Sequence, residues 1–481
     1  MVCFFKRFFS LTTVLLFAVI LTSQFSHSKV KLNSMCYASF EDNVDSLESL
    51  NIKGSDRLNE KFELASISKV VTAYWALSVF GPQHRFETKV IVYNRHGVKA
   101  NLHIIGAADP LFGREMFYFL TSELNKIGIT EVEKLTFDEN FRLNWKVLEL
   151  ESGVASHRSI IFHPLSVERT LKNMVNEPFD EERYTKLRTK TKKLFGIDML
   201  IKSQIKYQEV KYLNSKDFSI NSIDNDWQVY SIKSVPLYQI IKQMNLVSHN
   251  SIADHLWIAA GKIDLSEKGN VFEDPGIKVD WEDVNSKYTF RLKANASREF
   301  AKFMFTKLNL AVDEIEFING SGDSEYGAKS KIYNKASCSA MIKIITTLKI
   351  LMKNNNLDLK NIMAVAGVEK STLGSSRYAA FSESIIAKTG SVDPAITLAG
   401  EINTKSGVVI FTALQHTDSD ADWTEARDLI REEIAKIYIK FKNMKPIDYT
   451  PMQLVSLDSQ STLVKLEQRD FEQSNLENNL P

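Results

Sequence analysis

Three short clusters in this 481-residue chain have the residue types and spacing for nucleophilic chemistry. The first is Ser66-Ile67-Ser68-Lys69, which sets a hydroxyl and an amine at i and i+3. On a helix these share one face. Ser66 falls in the first turn of the expected helix, where the positive end of the helix dipole favours a developing negative charge. A lysine held there in a buried, desolvated place can have a depressed pKa and act as a base. Ser66 is therefore a candidate nucleophile and Lys69 its activator. The second cluster is Ser248-His249-Asn250, in a short loop between two expected helices. From there Ser248 can relay a proton and Asn250 can bind a substrate amide. His249 is read as a loop residue facing away, although its ordinary pKa near neutrality leaves a pH effect open. The third is Lys388-Thr389-Gly390-Ser391, which follows a short apolar run as on a strand edge. Lys388 and Thr389 can meet a substrate carboxylate, and Gly390 lets a substrate backbone approach closely.

Each motif alone is a weak signal. Ser-x-x-Lys recurs at Ser28–Lys31 and Ser203–Lys206, and Ser-x-Asn recurs at Ser219–Asn221. Lys405-Ser406-Gly407 is a decoy whose glycine serves a hairpin turn. The Ser203 copy lies in a strand-like run, where i and i+3 point to opposite faces. Only the Ser66 copy opens an apolar helix. All three motifs in this order make a much stronger signal than any member.

These residues need elements to hold them. Ser66 to Phe80 reads as a helix apolar on nearly every face beyond Lys69, so it is expected to be buried all round, with Gly81-Pro82 as its stop. Phe86–Tyr93 and Val98–Ile105 alternate as a β-hairpin. A helix at Arg114–Ile127, a strand at Lys134–Phe137, charge-rich helices over 165–200 and strands at Ser203–Tyr212 and Trp227–Ile232 complete an inserted α+β region, residues 83–232. Further helices are expected at Leu237–Met244, Ser251–Ile263, Ser297–Leu308 and Ser337–Met352. Ala395–Ile402 and Val408–Leu414 form a second hairpin, and Asp422–Phe441 an amphipathic helix. Residues 29–82 and 233–445 thus form one domain, and the Gln-, Asn-, Ser- and Glu-rich residues 446–481 read as a weakly ordered tail. There is no internal repeat.

Composition sets the outer bounds. Hydrophobic residues make up 44% and charged residues 25%, which suits a large core and excludes disorder throughout. A formal charge of +1 argues against a nucleic-acid partner. Three cysteines exclude a disulfide scaffold and a Cys-rich metal site, and the histidines show no ligand spacing. Residues 1–28 read as a secretory signal peptide: Lys6 and Arg7, then the apolar Phe8–Leu21, then Ser26-His27-Ser28. The mature chain is expected to be exported, to the periplasm, and soluble. Cys36 and Cys338 remain and could pair, but the sequence does not place them together.

With these motifs the sequence resembles the penicillin-binding enzymes, and most closely the D-alanyl-D-alanine carboxypeptidase/endopeptidase family (peptidase S13, class C low-molecular-mass penicillin-binding proteins). A long interval between Lys69 and Ser248 is a hallmark of that family. Gly106-Ala107-Ala108-Asp109-Pro110, Leu135 to Phe141, Asn319-Gly320-Ser321-Gly322, and Thr372-Leu373 with Arg377 resemble its other conserved segments. The resemblance runs from about residue 35 to 440, with departures: Asn319 stands for the usual Asp, Asp323 for the usual Leu, and Ala107 and Ala108 for Gly.

The resemblance implies an α+β fold with a β-lactamase/transpeptidase-like core, an antiparallel sheet packed with helices. It implies attack by Ser66 on the penultimate D-alanine carbonyl of a peptidoglycan stem peptide, with Lys69 taking the proton. Backbone N–H groups of Ser66 and Ser391 would form the oxyanion hole. Ser248 would pass a proton to the leaving amine, Asn250 would hold the acyl-side amide, and Lys388 and Thr389 would bind the terminal carboxylate. Cleavage of D-Ala–meso-diaminopimelate crosslinks uses the same chemistry. No cofactor or metal is implied, and β-lactams would be covalent inhibitors. Asp138 is a candidate for the substrate's distal amino group, or else an exposed strand-end carboxylate. Open alternatives are a β-lactamase-like hydrolase and an inactive wall-binding protein. The charge-rich insert could also dock a protein partner.

Overall fold

The protein is described here by a computed structural model covering residues 32–40, 47, 50–144, 160–220, 227–262, 281–326, 331–374 and 376–466. The expected signal segment lies outside the described residues. In chain order the main elements are β1 (Ser34–Ser39), β2 (Lys53–Gly54), α1 (Ser68–Phe80), β3 (Glu87–His96), β4 (Lys99–Ile105), α2 (Arg114–Lys126) and β5 (Glu131–Phe137). Next come α3 (Pro164–Asn176), α4 (Glu181–Phe195), β6 (Lys206–Tyr212), β7 (Trp227–Lys233), α5 (Leu237–Leu246), α6 (Asn250–Ala260), α7 (Trp281–Leu308) and α8 (Cys338–Asn354). The last are β8 (Ala364–Val365), β9 (Ile385–Val392), β10 (Ala395–Thr404), β11 (Gly407–His416), α9 (Trp423–Lys440) and β12 (Val464–Leu466).

One antiparallel sheet, ordered β8-β9-β10-β11-β1-β2, carries the catalytic half of the molecule. Its strands are apolar on both faces because both are covered. Ile386, Ala399, Ile410 and Leu414 face the helical core of α1, α5, α6, α7 and α8. Ile385, Ala387, Leu398 and Phe411 face Ala426, Ile430 and Ile434 of α9. The α+β class and layered antiparallel core agree with the sequence reading. Helix α1 lies inside the helical layer, and every residue from Ser68 to Leu77 is buried. Its Trp75 packs edge-on against Trp257 at 4.7 Å and Phe300 at 5.2 Å between ring centroids.

The inserted residues form their own mixed sheet, ordered β12-β7-β3-β4-β5-β6, with a separate core. β4, β5 and β6 run parallel, as the intervening helices α2, α3 and α4 allow. The segment resembling the family's conserved Asp-Pro stretch is the joint to the catalytic half: His255 of α6 meets the Ala108 carbonyl oxygen at 2.5 Å.

Three details differ from the sequence reading. The helix expected from Ser66 begins at Ser68, after a 3-10 turn at Ala65–Ile67. Ala65 has φ +48°, a left-handed conformation that the α-helix does not continue. The helix expected at 297–308 starts sixteen residues earlier, at Trp281. The tail expected to be weakly ordered is well anchored as far as Leu466. Tyr449 packs on the catalytic core, Leu457 is buried in the insert core, and β12 pairs with β7. Asp458 makes a two-pronged ion pair with Arg85, at 3.1 and 2.6 Å. A few well-placed apolar and charged side chains hold a segment whose average composition is polar. Residues 467–481 lie outside the described set. Among the described residues no helix is long and apolar enough to cross a membrane.

Cys36 of β1 and Cys338 at the start of α8 form a disulfide across 302 residues of sequence. Closing so long a loop restricts the unfolded chain strongly. The Cys36→Ala/Cys338→Ala variant is expected to lose about 2–4 kcal/mol of unfolding free energy in a denaturant titration, relative to the oxidised wild type.

Candidate active site

A cleft of about 600 Å³ opens where the 3-10 turn, the α5–α6 loop and the edge of β9 converge. Ser66, Ser248, Asn250, Thr389, Gly390 and Ser391 line it. Lys69 and Lys388 lie directly behind it, 0% and 1% exposed. Eight of the nine residues singled out in the sequence therefore meet at one place, although they come from three distant segments. Two corners of the site are built on uncommon backbone: Ala65, which precedes Ser66, and Ser248 both have positive φ, +48° and +60°. Such conformations cluster at functional sites because surrounding structure must hold them.

Two glycines let the walls close. Gly390 lies so near that a Cβ would stand 2.1 Å from Thr397 Oγ1 and 3.0 Å from the Ser66 nitrogen. Thr397 Oγ1 in turn donates to the Leu64 carbonyl at 2.8 Å, tying β10 to the turn that carries Ser66. Gly322, at φ +76°, would drive a Cβ to 1.8 Å from the Ala65 oxygen. The Asn319–Asp323 loop therefore rests against the base of α1, where Thr72 Oγ1 donates to the Gly320 carbonyl at 2.7 Å.

Lys69 is the centre of the site. Its Nζ lies 3.0 Å from Ser66 Oγ, 2.7 Å from Asn250 Oδ1 and 2.7 Å from the Ser321 carbonyl oxygen. Burial pushes this amine down to about 7, against the opposing pull of the Asp254 and Asp323 carboxylates. A neutral amine has two N–H bonds and one lone pair. Asn250 Oδ1 and the Ser321 carbonyl only accept, so they take the two N–H groups and leave the lone pair for the Ser66 hydroxyl. That is the geometry of a general base on a nucleophile.

Lys388 is pushed well below the usual lysine range, by burial first and then by the nearby Lys69 amine. Its Nζ donates to the Thr389 carbonyl at 2.6 Å. Thr389 Oγ1 donates to Thr372 Oγ1 at 2.7 Å, which adds a second hydroxyl at the cleft wall. The Thr372 loop is braced from beneath. Lys242 is buried with Nζ 2.7 Å from Glu369 and 2.9 Å from the Lys360 carbonyl, and Tyr449 OH donates to Glu369 at 2.7 Å.

Asp138 is elsewhere. It is 2% exposed, and its Oδ1 accepts from the backbone N–H groups of Gly106, Asn140 and Phe141 at 2.9, 3.1 and 3.1 Å. Burial pushes its carboxyl up to about 7. The substrate-amine reading of Asp138 is thus replaced by a structural one: it ties two insert loops together at the joint with α6. His249 is buried, and its Nδ1 accepts from the Ile252 N–H at 3.4 Å, capping α6.

The structure adds residues that the motifs did not name. Arg427 of α9 lines the cleft, lies 5.4 Å over the Trp423 ring and donates to Ser391 Oγ at 3.4 Å. Nothing in an amphipathic helix marks it. Asp254 stands one turn after Asn250 on α6, a spacing that could have suggested it. Its Oδ1 accepts from the Gly320 and Ser321 N–H groups at 3.1 and 2.9 Å.

The profile of the D-Ala-D-Ala carboxypeptidase 3 (S13) family matches residues 51–143. The predatory endopeptidase Bd3459 of Bdellovibrio bacteriovorus, solved with its immunity protein Bd3460, is 33% identical, with 90% of this chain and 99% of that chain covered at a TM-score of 0.75. This chain belongs to the S13 family. Bd3459 has also been solved acylated by penicillin G, at 33% identity, 90% and 99% coverage and a TM-score of 0.74. The predatory endopeptidase Bd0816 of the same organism is 30% identical over 90% of this chain and 99% of its own, at a TM-score of 0.74. Penicillin binding protein 4 of Haemophilus influenzae shares the fold at 17% identity and a TM-score of 0.53, over 85% of this chain and 97% of its own. No curated protein matches the chain.

The two readings of Asp138 separate by mutation. Asp138→Asn keeps an acceptor at Oδ1 and is expected to unfold within about 1 kcal/mol of wild type, whereas Asp138→Ala strands the Gly106 and Asn140 N–H groups, Phe141 N–H keeping the Asp138 carbonyl, and should cost about 2–4 kcal/mol in denaturant unfolding. A substrate-binding role would instead raise KM in Asp138→Asn for peptides bearing a free distal amine.

Proposed function

We propose that the chain is an exported serine DD-peptidase that opens peptidoglycan stem peptides and crosslinks through an acyl-enzyme on Ser66. As an S13 enzyme it is a serine hydrolase of the carboxypeptidase/endopeptidase type that acts on peptidoglycan and binds penicillin. The observation that carries the residue roles is the Lys69 amine, buried, held by two acceptors and 3.0 Å from Ser66 Oγ. Ser66 attacks the D-alanine carbonyl while Lys69 takes its proton. Oxyanion charge falls to the backbone N–H groups of Ser66 and Ser391, a contribution typically worth about 3–4 kcal/mol per donor. Ser248 returns a proton to the departing amine, and Asn250 holds the acyl-side amide. Lys388, Thr389 and Thr372 present an amine and two hydroxyls to the carboxylate of the leaving residue. Gly390 allows close approach, and water then frees the acyl group. Substrates of both kinds carry a carboxylate beside the released amine, so one cleft serves carboxypeptidase and endopeptidase cleavage. Likeness to the two Bdellovibrio enzymes favours crosslinks.

The signal-like segment, with Lys6 and Arg7 ahead of the apolar Phe8–Leu21, and the Cys36–Cys338 disulfide support export to an oxidising compartment such as the periplasm. Both Bdellovibrio relatives were solved with an immunity protein, which makes a protein inhibitor the partner class this reading favours.

Incubation with a fluorescent penicillin should label wild type covalently and leave Ser66→Ala unlabelled, with crosslinked muropeptides cleaved by wild type alone. Folded wild type that takes no label and cuts no muropeptide would instead mark an inactive wall-binding protein. Rapid penicillin turnover without muropeptide cleavage would mark a β-lactamase-like hydrolase. Because Lys69 acts as a base only when neutral, the acylation rate should rise with pH through a midpoint near 7 and fall below it.

A further inference from the structure

The Lys69 arrangement works in one orientation of the Asn250 side chain. With Oδ1 toward Lys69, the amide accepts an N–H and the lysine lone pair is left for Ser66. With the amide turned over, its NH2 group would compete for that lone pair. Something must therefore select the orientation. Asn250 Nδ2 donates to Asp323 Oδ2 at 3.1 Å. A carboxylate only accepts, so it admits the NH2 end of the amide and refuses the oxygen end. Asp323 is itself anchored, since its Oδ1 accepts from the Ser324 N–H at 2.9 Å and its carbonyl accepts from Asn319 Nδ2 at 2.9 Å. It lines the cleft beside Ser66 and Asn250. In the sequence it appears only as the residue that stands where the resembled family usually has Leu.

We propose that Asp323 is a positioning residue for acylation, which holds the Asn250 amide in its working orientation and sets the electrostatic field at the Lys69 amine. The inference rests on the Ser66–Lys69 reading above. The other charged groups around Lys69 are accounted for. Asp254 of α6 accepts two backbone N–H groups and faces Lys293 of α7 at 3.6 Å, and Lys293 also pairs with Glu325. Lys388 of β9 is the neighbouring amine, itself held well below the usual lysine range by burial and by Lys69. Asp254 pulls on the Lys69 amine more strongly than Asp323 does, but it is committed to the Gly320 and Ser321 N–H groups and to Lys293, whereas Asp323 lines the cleft and holds the amide that contacts Lys69. It favours the ammonium form, opposing the effect of burial.

The test is the rate of covalent labelling by fluorescent penicillin between pH 5 and 9, in the full chain. Wild type and Ser66→Ala establish that Ser66 is the nucleophile. Asp323→Asn keeps an acceptor oxygen for Asn250 but removes the charge. It should label with a plateau rate within about threefold of wild type and with the midpoint moved down by about half a pH unit or more, so that it outpaces wild type below pH 6 relative to each plateau. Asp323→Leu removes orientation and charge together, and its plateau should fall about tenfold or more, the order of loss expected when a base is misaligned. Thermal unfolding of each variant controls for folding, and the near-isosteric Asp323→Asn carries the test if Asp323→Leu does not fold. An unmoved midpoint in Asp323→Asn, whatever its plateau, would overturn the proposal. An unlabelled wild type would overturn the Ser66–Lys69 reading first, and this inference with it.

Discussion

The site depends on one unfavourable burial. An ammonium group at the base of α1 has given up all its water, and the protein returns only two acceptors and two carboxylates at one remove. Burying a charge costs more than such partners repay, and a lysine in that position answers by becoming neutral. This neutrality makes the amine useful. The surrounding packing must refuse water, and α1 is buried from Ser68 to Leu77, its Trp75 packed edge-on against Trp257 and Phe300. The thick helical layer is the condition under which a lysine can serve as a base near neutral pH.

The rest of the construction brings three chain segments to that amine without adding side chains in the way. Gly390 and Gly322 are points where backbone presses on backbone, so β9 and the Asn319–Asp323 loop both reach the Ser66 turn. Positive φ at Ala65 and Ser248 turns two hydroxyl-bearing corners into the same space. The brace of Lys242, Glu369 and Tyr449 then supports the Thr372 wall from the far side, through a segment that follows the last helix. Local backbone cost at the cleft is offset by packing at a distance.

Residues whose role depends on near neighbours in sequence were legible. Ser66 and Lys69 are three apart on an apolar run, and Lys388 to Ser391 sit at the end of a strand-like one. The individual helices and hairpins follow from periodicity and turn residues, whereas the layered sheet was implied by the family resemblance. What escaped depends on distant partners. Arg85 and Asp458 meet across the whole insert, and no local pattern marks either. The segment around Leu457 is polar on average, so its few anchoring residues did not register as a core. Asp138 was placed in the cleft by resemblance, but its carboxylate was already committed to three backbone N–H groups. Asp323 registered as a departure without a role, because its meaning lies in an amide 73 residues away in sequence. Helix α1 was read as starting at Ser66, two residues too early, because a left-handed alanine carries no sequence mark.

Strand β1, near the chain's beginning, lies between β2 and β11, with Ser34 opposite Leu414. The insert's sheet is likewise finished by β12, close to the chain's end. The catalytic sheet closes only when β11 returns to β1, and the insert's sheet only when β12 returns to β7. Until β9 is in place, Ser66 has no strand beside it, and until α6 and the Asn319–Asp323 loop have packed on α1, Lys69 has no enclosure to strip its water. A chain cut before β9 would therefore carry the serine and the lysine as ordinary, solvated residues, so reactivity belongs to the assembled fold and not to the motif that holds them.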